Sequence, residues 1–274
     1  MRDALGSLSV VIPAYNAAGI AAQTIRECHT WLAQQGLEHE IIIVDDGSTD
    51  QTVAVATGAG VAGAPVQVLR SLENRGKGAA VRRGMLAARM NWVLFMDVDH
   101  STRIENVAQL AEVADRADVI IASRRLGGAE IVTSQPLARR FLGNLFPFLT
   151  RGTALPNVSD TQCGFKAFRG RVVKPIFDGA MVDRFAFDVE IILRGLRLGA
   201  RLSEIPVRWD NPTGSTVRWR LDGPQMLADL FQTTWRHRAG GAEARRLAAW
   251  QAAQPAEVLT EPKPLAPSRP RLAP

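Results

Sequence analysis

The chain has 274 residues, of which 46% are hydrophobic and 22% are charged, with 33 basic side chains against 27 acidic ones. This composition excludes wholesale disorder, and the length suits one large α/β domain or two small ones. No apolar run approaches the roughly 18 residues of a membrane-spanning helix, the N-terminus lacks the apolar stretch of a secretion signal, and two cysteines are too few for a disulfide scaffold. We therefore expect a soluble protein of the cytosol.

The first part of the chain alternates short β-branched runs with helix-like segments. Strands are predicted over 8–13, 40–44, 66–69, 91–96 and 118–122, and helices over 17–35, 51–59, 78–90 and 105–116. This alternation predicts an α/β fold with a mostly parallel central sheet and helices on both faces. Ligands of such sheets bind beyond the carboxyl ends of the strands, so the residues that follow each strand are the candidates for a site.

The run Asp97-Val98-Asp99 follows the apolar strand 91–96. Side chains at positions i and i+2 point to one face of a strand, so both carboxylates can converge at its end. Such hard oxygen ligands suit Mg²⁺ or Mn²⁺ bridging a diphosphate, where the ion acts as a Lewis acid. Two exposed loop aspartates are the alternative, and His100 is a minor candidate for a contact with the metal or the diphosphate.

Two further loops follow predicted strands. In the run Asp45-Asp46-Gly47-Ser48-Thr49-Asp50, one aspartate can accept hydrogen bonds from a nucleobase or ribose, whereas Asp50 is expected to cap the helix that follows. The run Asn74-Arg75-Gly76-Lys77-Gly78 lacks the spacing of a Walker or a GxGxxG motif, so it supports neither ATPase nor dehydrogenase chemistry. Lys77 is expected near an anionic ligand.

Four runs together resemble the family 2 glycosyltransferases with a GT-A fold: Val11-Ile12-Pro13-Ala14-Tyr15-Asn16, Val44-Asp45-Asp46-Gly47-Ser48, Asn74-Arg75-Gly76-Lys77-Gly78 and Asp97-Val98-Asp99. Two later runs, Asp160-Thr161-Gln162-Cys163-Gly164-Phe165-Lys166 and Phe185-Ala186-Phe187-Asp188-Val189-Glu190, are similar to the dolichyl-phosphate β-glucosyltransferase branch of the polyprenyl-phosphate sugar synthases. The related mannose synthases carry a different version of the first of these two. The resemblance covers roughly residues 8 to 220.

The resemblance implies a nucleotide-sugar site with Mg²⁺ or Mn²⁺ held by Asp97 and Asp99. Pro13 and Tyr15 would line the base and ribose, and Asp46 would accept from the base. The implied nucleotide-sugar contacts are Pro13, Ala14, Tyr15, Asp46, Lys77, Asp97, Val98 and Asp99. The family often has an acidic residue after Tyr-Asn, where this chain has Ala17.

The basic residues are concentrated in the second part of the chain, since residues 1–123 carry a net charge of −4 and residues 124–274 a net charge of +10. The guanidinium group of an arginine can donate two parallel hydrogen bonds to one phosphate. In the resembled family, the arginine after the strand at 118–122 and another about fifteen residues on bind the acceptor phosphate, which implies Arg124 and either Arg139 or Arg140. A solvated surface charge is the alternative for each of them. We expect no nucleic-acid partner, because neither a Lys/Arg stripe with interleaved aromatics nor a recognised binding motif is present.

Four polar residues of the two branch motifs could hydrogen-bond sugar hydroxyls or fix the loop that closes over them: Asp160, Gln162, Asp188 and Glu190. Asp160 is the leading candidate and joins Asp97, Asp99 and Arg124 as a candidate catalytic residue. Cys163 is expected to pack as a small apolar group. In the later run 211–216, Thr216 stands where the family commonly has lysine, and Arg218 could substitute for it.

Two segments could face a membrane. The apolar run 141–149 is too short to span a bilayer and fits either the core or a lipid-facing surface. Apolar residues at helical spacing over 226–235, followed by Arg236-His237-Arg238, predict an amphipathic helix that lies on an anionic membrane or packs on the catalytic domain; the membrane is favoured. The proline-punctuated segment from about residue 251 is predicted to be disordered.

These features predict a single GT-A domain with a nucleotide-sugar-binding half over 1–123 and an acceptor-binding half over 124–222, then an amphipathic helix over 223–250 and a disordered tail over 251–274. The predicted activity is a metal-dependent, inverting transfer of glucose from UDP-glucose to a polyprenyl phosphate. The protein would bind peripherally to the cytosolic membrane face, where a separate membrane protein could anchor it. The alternatives are a GDP-mannose donor or a glycan hydroxyl acceptor, the latter requiring a carboxylate base.

Overall fold

The computed structural model describes residues 1–60, 66–131, 155, 157–210 and 228–234. The strands are β1 Ser7–Ala14, β2 Glu38–Asp45, β3 Val66–Arg70, β4 Trp92–Met96, β5 Val119–Ser123, β6 Glu130–Ile131, β7 Phe165–Arg169, β8 Leu202–Pro206 and β9 Arg208–Trp209. The α-helices are α1 Arg2–Leu5, α2 Ala21–Gln34, α3 Thr52–Gly58, α4 Lys77–Ala87, α5 Val107–Val113, α6 Gly170–Phe177 and α7 Phe187–Arg197. Residues 228–234 are also helical.

The central sheet has seven strands in the order β3-β2-β1-β4-β7-β5-β8. All neighbouring strands are parallel except β7, which runs antiparallel to both β4 and β5. The predicted mostly parallel sheet and each of the five predicted strands are therefore confirmed. Strand β7 was not predicted, because Lys166 and Arg169 interrupt its apolar pattern. The short strands β6 and β9 pair separately.

Helices cover both faces of the sheet, as predicted. Alternate residues of β1 face opposite layers, since Val10 and Ile12 belong to one apolar cluster and Val11 to the other. The first cluster includes Leu110 of α5 and buried residues of α2. The second cluster includes buried residues of α4, α6 and α7. The result is a three-layer α/β/α domain in which the loops that follow the strands can form a site.

Helix α4 lies unusually close to the sheet. A Cβ atom added at Gly84 would overlap Val11 and come within 2.7 Å of Val44 Cγ2. Glycine therefore permits the approach of the helix to β1 and β2. This contact fixes the height of α4 above the sheet, and with it the position of Lys77 at the first turn.

Helix α2 begins at Ala21, later than the predicted residue 17. Asn16 has a φ of 50°, and the N–H groups of Ala17 and Ala18 donate to Thr52 Oγ1 and Asp50 Oδ2, at 2.8 Å and 3.1 Å. The segment is thus held by the loop after β2 and does not enter the helix. Asp50 also accepts the N–H of Thr52, the first residue of α3, at 2.9 Å, but the N-cap residue of this helix is Gln51 and not the predicted Asp50.

The helix over 228–234 belongs to the segment for which a membrane role was favoured. Leu230 packs into the cluster that includes α4 and α7, whereas Phe231 is 76% exposed. This part of the helix therefore packs on the α/β domain, which was the alternative. The apolar run 141–149, the loop 211–216, the rest of the predicted helix and the tail from 251 lie outside the described residues. Within the described ranges, no helix combines the length and apolar character needed to cross a membrane.

Candidate active site

The loops after β1 and β2 are joined at the carboxyl edge of the sheet. The N–H of Asn16 donates to Ser48 Oγ at 2.9 Å, and the N–H of Thr49 donates to Asn16 Oδ1 at 2.9 Å. Tyr15, between β1 and this junction, exposes 43% of its surface, whereas Ala14 is buried. Pro13 is partly buried. Of the three predicted contacts in this run, Pro13, Ala14 and Tyr15, Tyr15 is therefore the most exposed.

Asp46 fastens the loop that precedes α4. Its Oδ1 accepts the N–H of Arg75 at 3.0 Å and its Oδ2 accepts the N–H of Gly76 at 2.8 Å. The Asp46 side chain is buried at 4% exposure. The carboxylate proposed for the nucleobase thus has a positioning role, because it sets the conformation of the residues before Lys77.

Asp97 and Lys77 meet at the end of β4. Lys77 Nζ lies 2.6 Å from Asp97 Oδ1, and the two side chains are 21% and 26% exposed. Burial opposes the charge on Lys77, but Asp97 and Asp188 more than offset it and raise the lysine pKa. The ammonium is consequently protonated near neutral pH.

Gly164 forms one wall around the Asp97 carboxylate. The N–H of Asp97 donates to the carbonyl of Gly164 at 3.0 Å. A Cβ atom added at Gly164 would overlap the Asp97 carboxyl group. Gly164 was not among the predicted site residues. The signal that could have identified it is its position as a glycine within the first branch motif, residues 160–166.

Asp99 and His100 point to different neighbours. Asp99 Oδ1 accepts the N–H of Ser101 at 3.0 Å, and the Asp99 residue is partly exposed. His100 Nδ1 lies 3.1 Å from Glu27 Oε2 and its Nε2 lies 2.8 Å from Thr24 Oγ1. Both ring nitrogens thus contact α2, and the minor assignment of His100 to the metal or diphosphate is wrong. The local turn that directs this ring has a φ of 59° at His100.

The donor chemistry at Asp97 and Asp99 fits a hard divalent cation. Magnesium is commonly bound by one or two carboxylates, with substrate phosphates and water completing its coordination. Across the described part of the chain, no group of three or more His, Cys, Asp or Glu side chains could hold a metal ion. The two carboxylates fit the protein's share of such a coordination shell.

A second lysine–aspartate pair lies beneath this edge. Lys166 Nζ donates to Asp188 Oδ1 at 2.5 Å and to the Cys163 carbonyl at 2.7 Å, and the Lys166 side chain is wholly buried. Burial raises the pKa of Asp188, and Lys166 and Lys77 act against this rise. The carboxylate of Asp188 thus accepts a hydrogen bond from Lys166, and its contact with a sugar hydroxyl stays a prediction. Sequence reasoning missed Lys166, although it ends the first branch motif.

Glu190 holds the segment that covers the start of α4. Its carboxylate accepts the N–H groups of Met181 and Val182 at 2.9 Å and 2.8 Å. In the same segment, the Asp183 carbonyl accepts the N–H of Ala79 at 3.0 Å. Glu190 therefore fixes a loop, which was one of its two predicted roles, and the loop in turn caps the helix that carries Lys77.

Arg124 and Asp160 form a bidentate ion pair after β5. Arg124 Nε and Nη2 donate to Asp160 Oδ2 and Oδ1 at 2.7 Å and 2.9 Å, and the backbone N–H of Arg124 donates to Oδ2 at 3.1 Å. Burial raises the pKa of Asp160, but Arg124 more than offsets this effect and lowers it to about 2. The guanidinium also lies over the Trp209 ring, 5.5 Å from its centroid. Asp160 therefore positions the Arg124 guanidinium, and its contact with a sugar stays a prediction.

The remaining acceptor-side residues are partly described. Arg139 and Arg140 lie outside the described residues. Gln162 Nε2 and Thr161 Oγ1 are buried, and neither has a hydrogen-bond partner within the described ranges. Unsatisfied buried groups of this kind are uncommon in native proteins, so Gln162 stays a candidate for a ligand contact. Cys163 is buried, and desolvation raises its pKa to about 11, which agrees with its predicted packing role.

Sequence comparison identifies relatives over most of the chain. Residues 9–177 match the family described as Glycosyl transferase family 2. The chain is 36% identical over 247 residues to the dolichyl-phosphate beta-glucosyltransferase of Drosophila melanogaster, which covers 85% of this chain and 76% of the relative. Identity to the enzyme of the same name is 31% over 242 residues in Saccharomyces cerevisiae, with 81% and 72% covered, and 30% over 247 residues in Homo sapiens, with 85% and 76% covered.

Solved structures share the fold. The crystal structure of glucosyl-3-phosphoglycerate synthase from Mycobacterium tuberculosis with Mn²⁺, uridine diphosphate and phosphoglyceric acid aligns with a TM-score of 0.62 at 19% identity, covering 85% of this chain and 80% of that chain. The same enzyme with Mg²⁺ and uridine diphosphate also gives 0.62, at 17% identity, with 86% and 80% covered. These structures support the GT-A type architecture. The family match over residues 9–177, joined by relatives at 30–36% identity, shows that the chain belongs to glycosyltransferase family 2.

Proposed function

We propose that the chain transfers glucose from UDP-glucose to a polyprenyl phosphate of the dolichyl type, at the cytosolic face of a membrane to which it binds peripherally. The observation that carries this proposal is the similarity to enzymes named dolichyl-phosphate beta-glucosyltransferase, which extends over 81–85% of the chain. The arrangement of acidic and basic side chains at the carboxyl edge of the sheet supports it, because the reaction brings together a nucleotide diphosphate and a lipid phosphate.

The donor half of the site is assigned to the loops after β1, β2 and β4. Tyr15, with Pro13 and the backbone of Ala14 and Val98, would line the nucleoside. Lys77 would contact the diphosphate, and Asp46 would keep the loop before Lys77 in place through its bonds to Arg75 and Gly76. The exposure of the Tyr15 ring supports this assignment.

Asp97 and Asp99 would hold Mg²⁺ or Mn²⁺. When bound, the ion would neutralise negative charge that builds on the departing nucleotide diphosphate. Lys77, at the start of α4, adds a positive charge on the same side, and the N-terminus of the helix itself favours an anion. The structural neighbours were crystallised with Mn²⁺ or Mg²⁺ together with uridine diphosphate, which supports a divalent ion here.

The acceptor phosphate is assigned to Arg124, together with Arg139 or Arg140. Asp160 occupies Nε and Nη2 of Arg124, and Nη1 has no hydrogen-bond partner within the described residues. The ion pair thus orients the guanidinium and leaves one donor group for a phosphate oxygen. Gln162 remains a candidate for a sugar hydroxyl.

The transfer needs alignment and charge stabilisation more than a base. A lipid phosphate is already anionic at neutral pH, so no proton has to be removed before it attacks. One of its oxygens would form a bond to C1 of glucose while the bond from C1 to the diphosphate breaks and its electron pair leaves with UDP. A single displacement of this kind converts an α-linked donor into a β-linked product, in keeping with the names of the relatives.

The test offers the purified full chain two labelled donors and several acceptors in parallel. UDP-glucose and GDP-mannose are each combined with dolichyl phosphate in detergent, with phosphoglyceric acid, and with a soluble glycan. We expect label in the lipid phase from UDP-glucose and dolichyl phosphate alone. Transfer from GDP-mannose alone would contradict the donor assignment, and transfer only to phosphoglyceric acid or the glycan would contradict the acceptor assignment.

A further inference from the structure

Lys77 occupies a position where a metal ion would also be attracted. Its ammonium lies 2.6 Å from Asp97 Oδ1, on the carboxylate proposed to hold the cation. We propose that Lys77 is the counter-ion of the Asp97–Asp99 pair in the free protein and leaves Asp97 more readily when metal and nucleotide diphosphate bind together than when metal binds alone. The inference rests on the proposed function, since it takes a metal and a diphosphate as the ligands of this edge.

The backbone around Lys77 is held, so that the ammonium moves by side-chain rotation alone. Asp46 accepts the N–H of Gly76 at 2.8 Å, immediately before the lysine. The carbonyl of Asp183 accepts the N–H of Ala79 at 3.0 Å, two residues after it. A long, flexible side chain on a fixed base can exchange one anionic partner for another a few ångströms away.

The neighbouring carboxylate of Asp188 attracts Lys77 from a distance, but its hydrogen bond is with Lys166. Lys166 already neutralises it at 2.5 Å in a wholly buried pair. Asp97 and Asp99 are both partly exposed, and two carboxylates separated by one residue repel each other unless a cation lies between or beside them. Lys77 is the lysine that meets this requirement in the free protein.

A metal ion that takes the place of the Lys77 ammonium beside Asp97 binds with a different free energy in the presence and in the absence of nucleotide. A metal that binds alone displaces the ammonium from Asp97, so the ammonium loses its closest carboxylate contact, at 2.6 Å, and gains no new one. A metal that binds with a diphosphate brings a new anionic partner for the same ammonium. Lys77 therefore weakens the binding of metal alone and strengthens the binding of metal with nucleotide, which is a positive coupling between two ligands.

The test measures Mn²⁺ affinity by electron paramagnetic resonance, with and without UDP, on the full chain. Lys77→Met should bind Mn²⁺ alone about tenfold more tightly than the unmodified chain, and UDP should increase its Mn²⁺ affinity by a smaller factor. Lys77→Arg keeps the charge and should bind Mn²⁺ alone as the unmodified chain does. Lys174→Met removes an exposed lysine of α6 and is the matched control, with both affinities unchanged.

Equal or weaker binding of Mn²⁺ alone by Lys77→Met, or no measurable binding, would overturn the inference. So would equally tight binding by Lys77→Met and Lys77→Arg, since the charge would then not be the cause. Thermal unfolding shows whether each variant is folded; if Lys77→Met is not, Lys77→Gln takes its place with the same expected result. The inference can fail while glucose transfer is found, and it can hold while the acceptor proves to be another phosphate, so the two failures are distinguishable.

Discussion

Arg124 and Asp160 are joined by two parallel hydrogen bonds, from Nε to Oδ2 at 2.7 Å and from Nη2 to Oδ1 at 2.9 Å. The Asp160 side chain has no exposed surface, whereas that of Arg124 is 26% exposed. Glu204 also holds the backbone at Asp160, because its carboxylate accepts the N–H of Asp160 at 3.2 Å. The buried Asp160 therefore positions Arg124, which is exposed enough to contact a ligand. The two residues of this pair thus have different roles.

Removal of the Asp160 charge should destabilise the fold. Asp160→Asn leaves the Arg124 guanidinium without its counter-ion, and breaking such a pair costs about 2–4 kcal/mol, toward the low end because Arg124 is partly solvated. Urea unfolding followed by circular dichroism measures the loss. Glu130→Gln is the matched control: it breaks the exposed pair with Arg208, at 3.8 Å, and should cost less than about 1 kcal/mol. Similar losses in both variants would contradict the assignment.

The same pair should make stability depend on pH below pH 4. The pKa of Asp160 is lowered to about 2 in the folded chain, and an unfolded aspartate titrates near about 3.9. A depressed carboxyl pKa contributes stability that is complete above the unfolded value and is lost as the pH falls through the folded value. The gap in unfolding free energy between the unmodified chain and Asp160→Asn should therefore narrow from pH 5 to pH 2. A constant gap would be incompatible with the pair.

Gly164→Ala should impair the donor site and leave the fold intact. The added methyl group would occupy the space of the Asp97 carboxylate, which must then rotate away from its place at the edge. We expect Mn²⁺–UDP affinity to fall by at least about tenfold, with little change in melting temperature. Gly127→Ala is the matched control, because nothing lies within 4 Å of a Cβ atom there. Unchanged affinity in Gly164→Ala would show that Asp97 does not take part in binding.

Lys166 and Asp188 should show strong energetic coupling. Lys166→Met leaves a buried carboxylate unpaired, and Asp188→Asn leaves the buried Lys166 ammonium without the carboxylate charge that neutralises it. Either change should cost about 3 kcal/mol, whereas the double variant should recover much of the loss, because replacing a whole buried pair is often nearly neutral. A double-mutant cycle by urea unfolding measures the coupling. Additive losses would contradict the ion pair.

Much of the fold could be predicted because its strands are apolar runs bounded by turn residues. The five predicted strands are correct, and the acidic runs that follow β2 and β4 do lie at one edge. Helix ends were less accurate, since side chains distant in sequence decide them: Thr52 and Asp50 hold the residues before α2. Strand β7 escaped prediction because a buried lysine is unusual in a central strand.

The roles of individual site residues were harder to predict than their location. Asp160, Asp188 and Glu190 do lie near the site, but each carboxylate is used by another part of the chain: Arg124, Lys166 and the backbone of Met181 and Val182. A sequence shows where a carboxylate stands in the chain and does not show which partner folding brings to it. The same limit explains the wrong assignment of His100, whose ring partners lie on α2.

The central claim is that the Asp97–Asp99 edge binds the sugar nucleotide whose glucose is moved to a lipid phosphate. The most direct measurement is the transfer of labelled glucose from UDP-glucose to dolichyl phosphate by the unmodified chain, by Asp97→Asn and by Asp99→Asn, with the exposed Asp115→Asn as the control. We expect labelled lipid from the unmodified chain and from Asp115→Asn, and a loss of at least about a hundredfold from the other two. Transfer that survives in both Asp97→Asn and Asp99→Asn, or an unmodified chain that labels no lipid, would contradict the account.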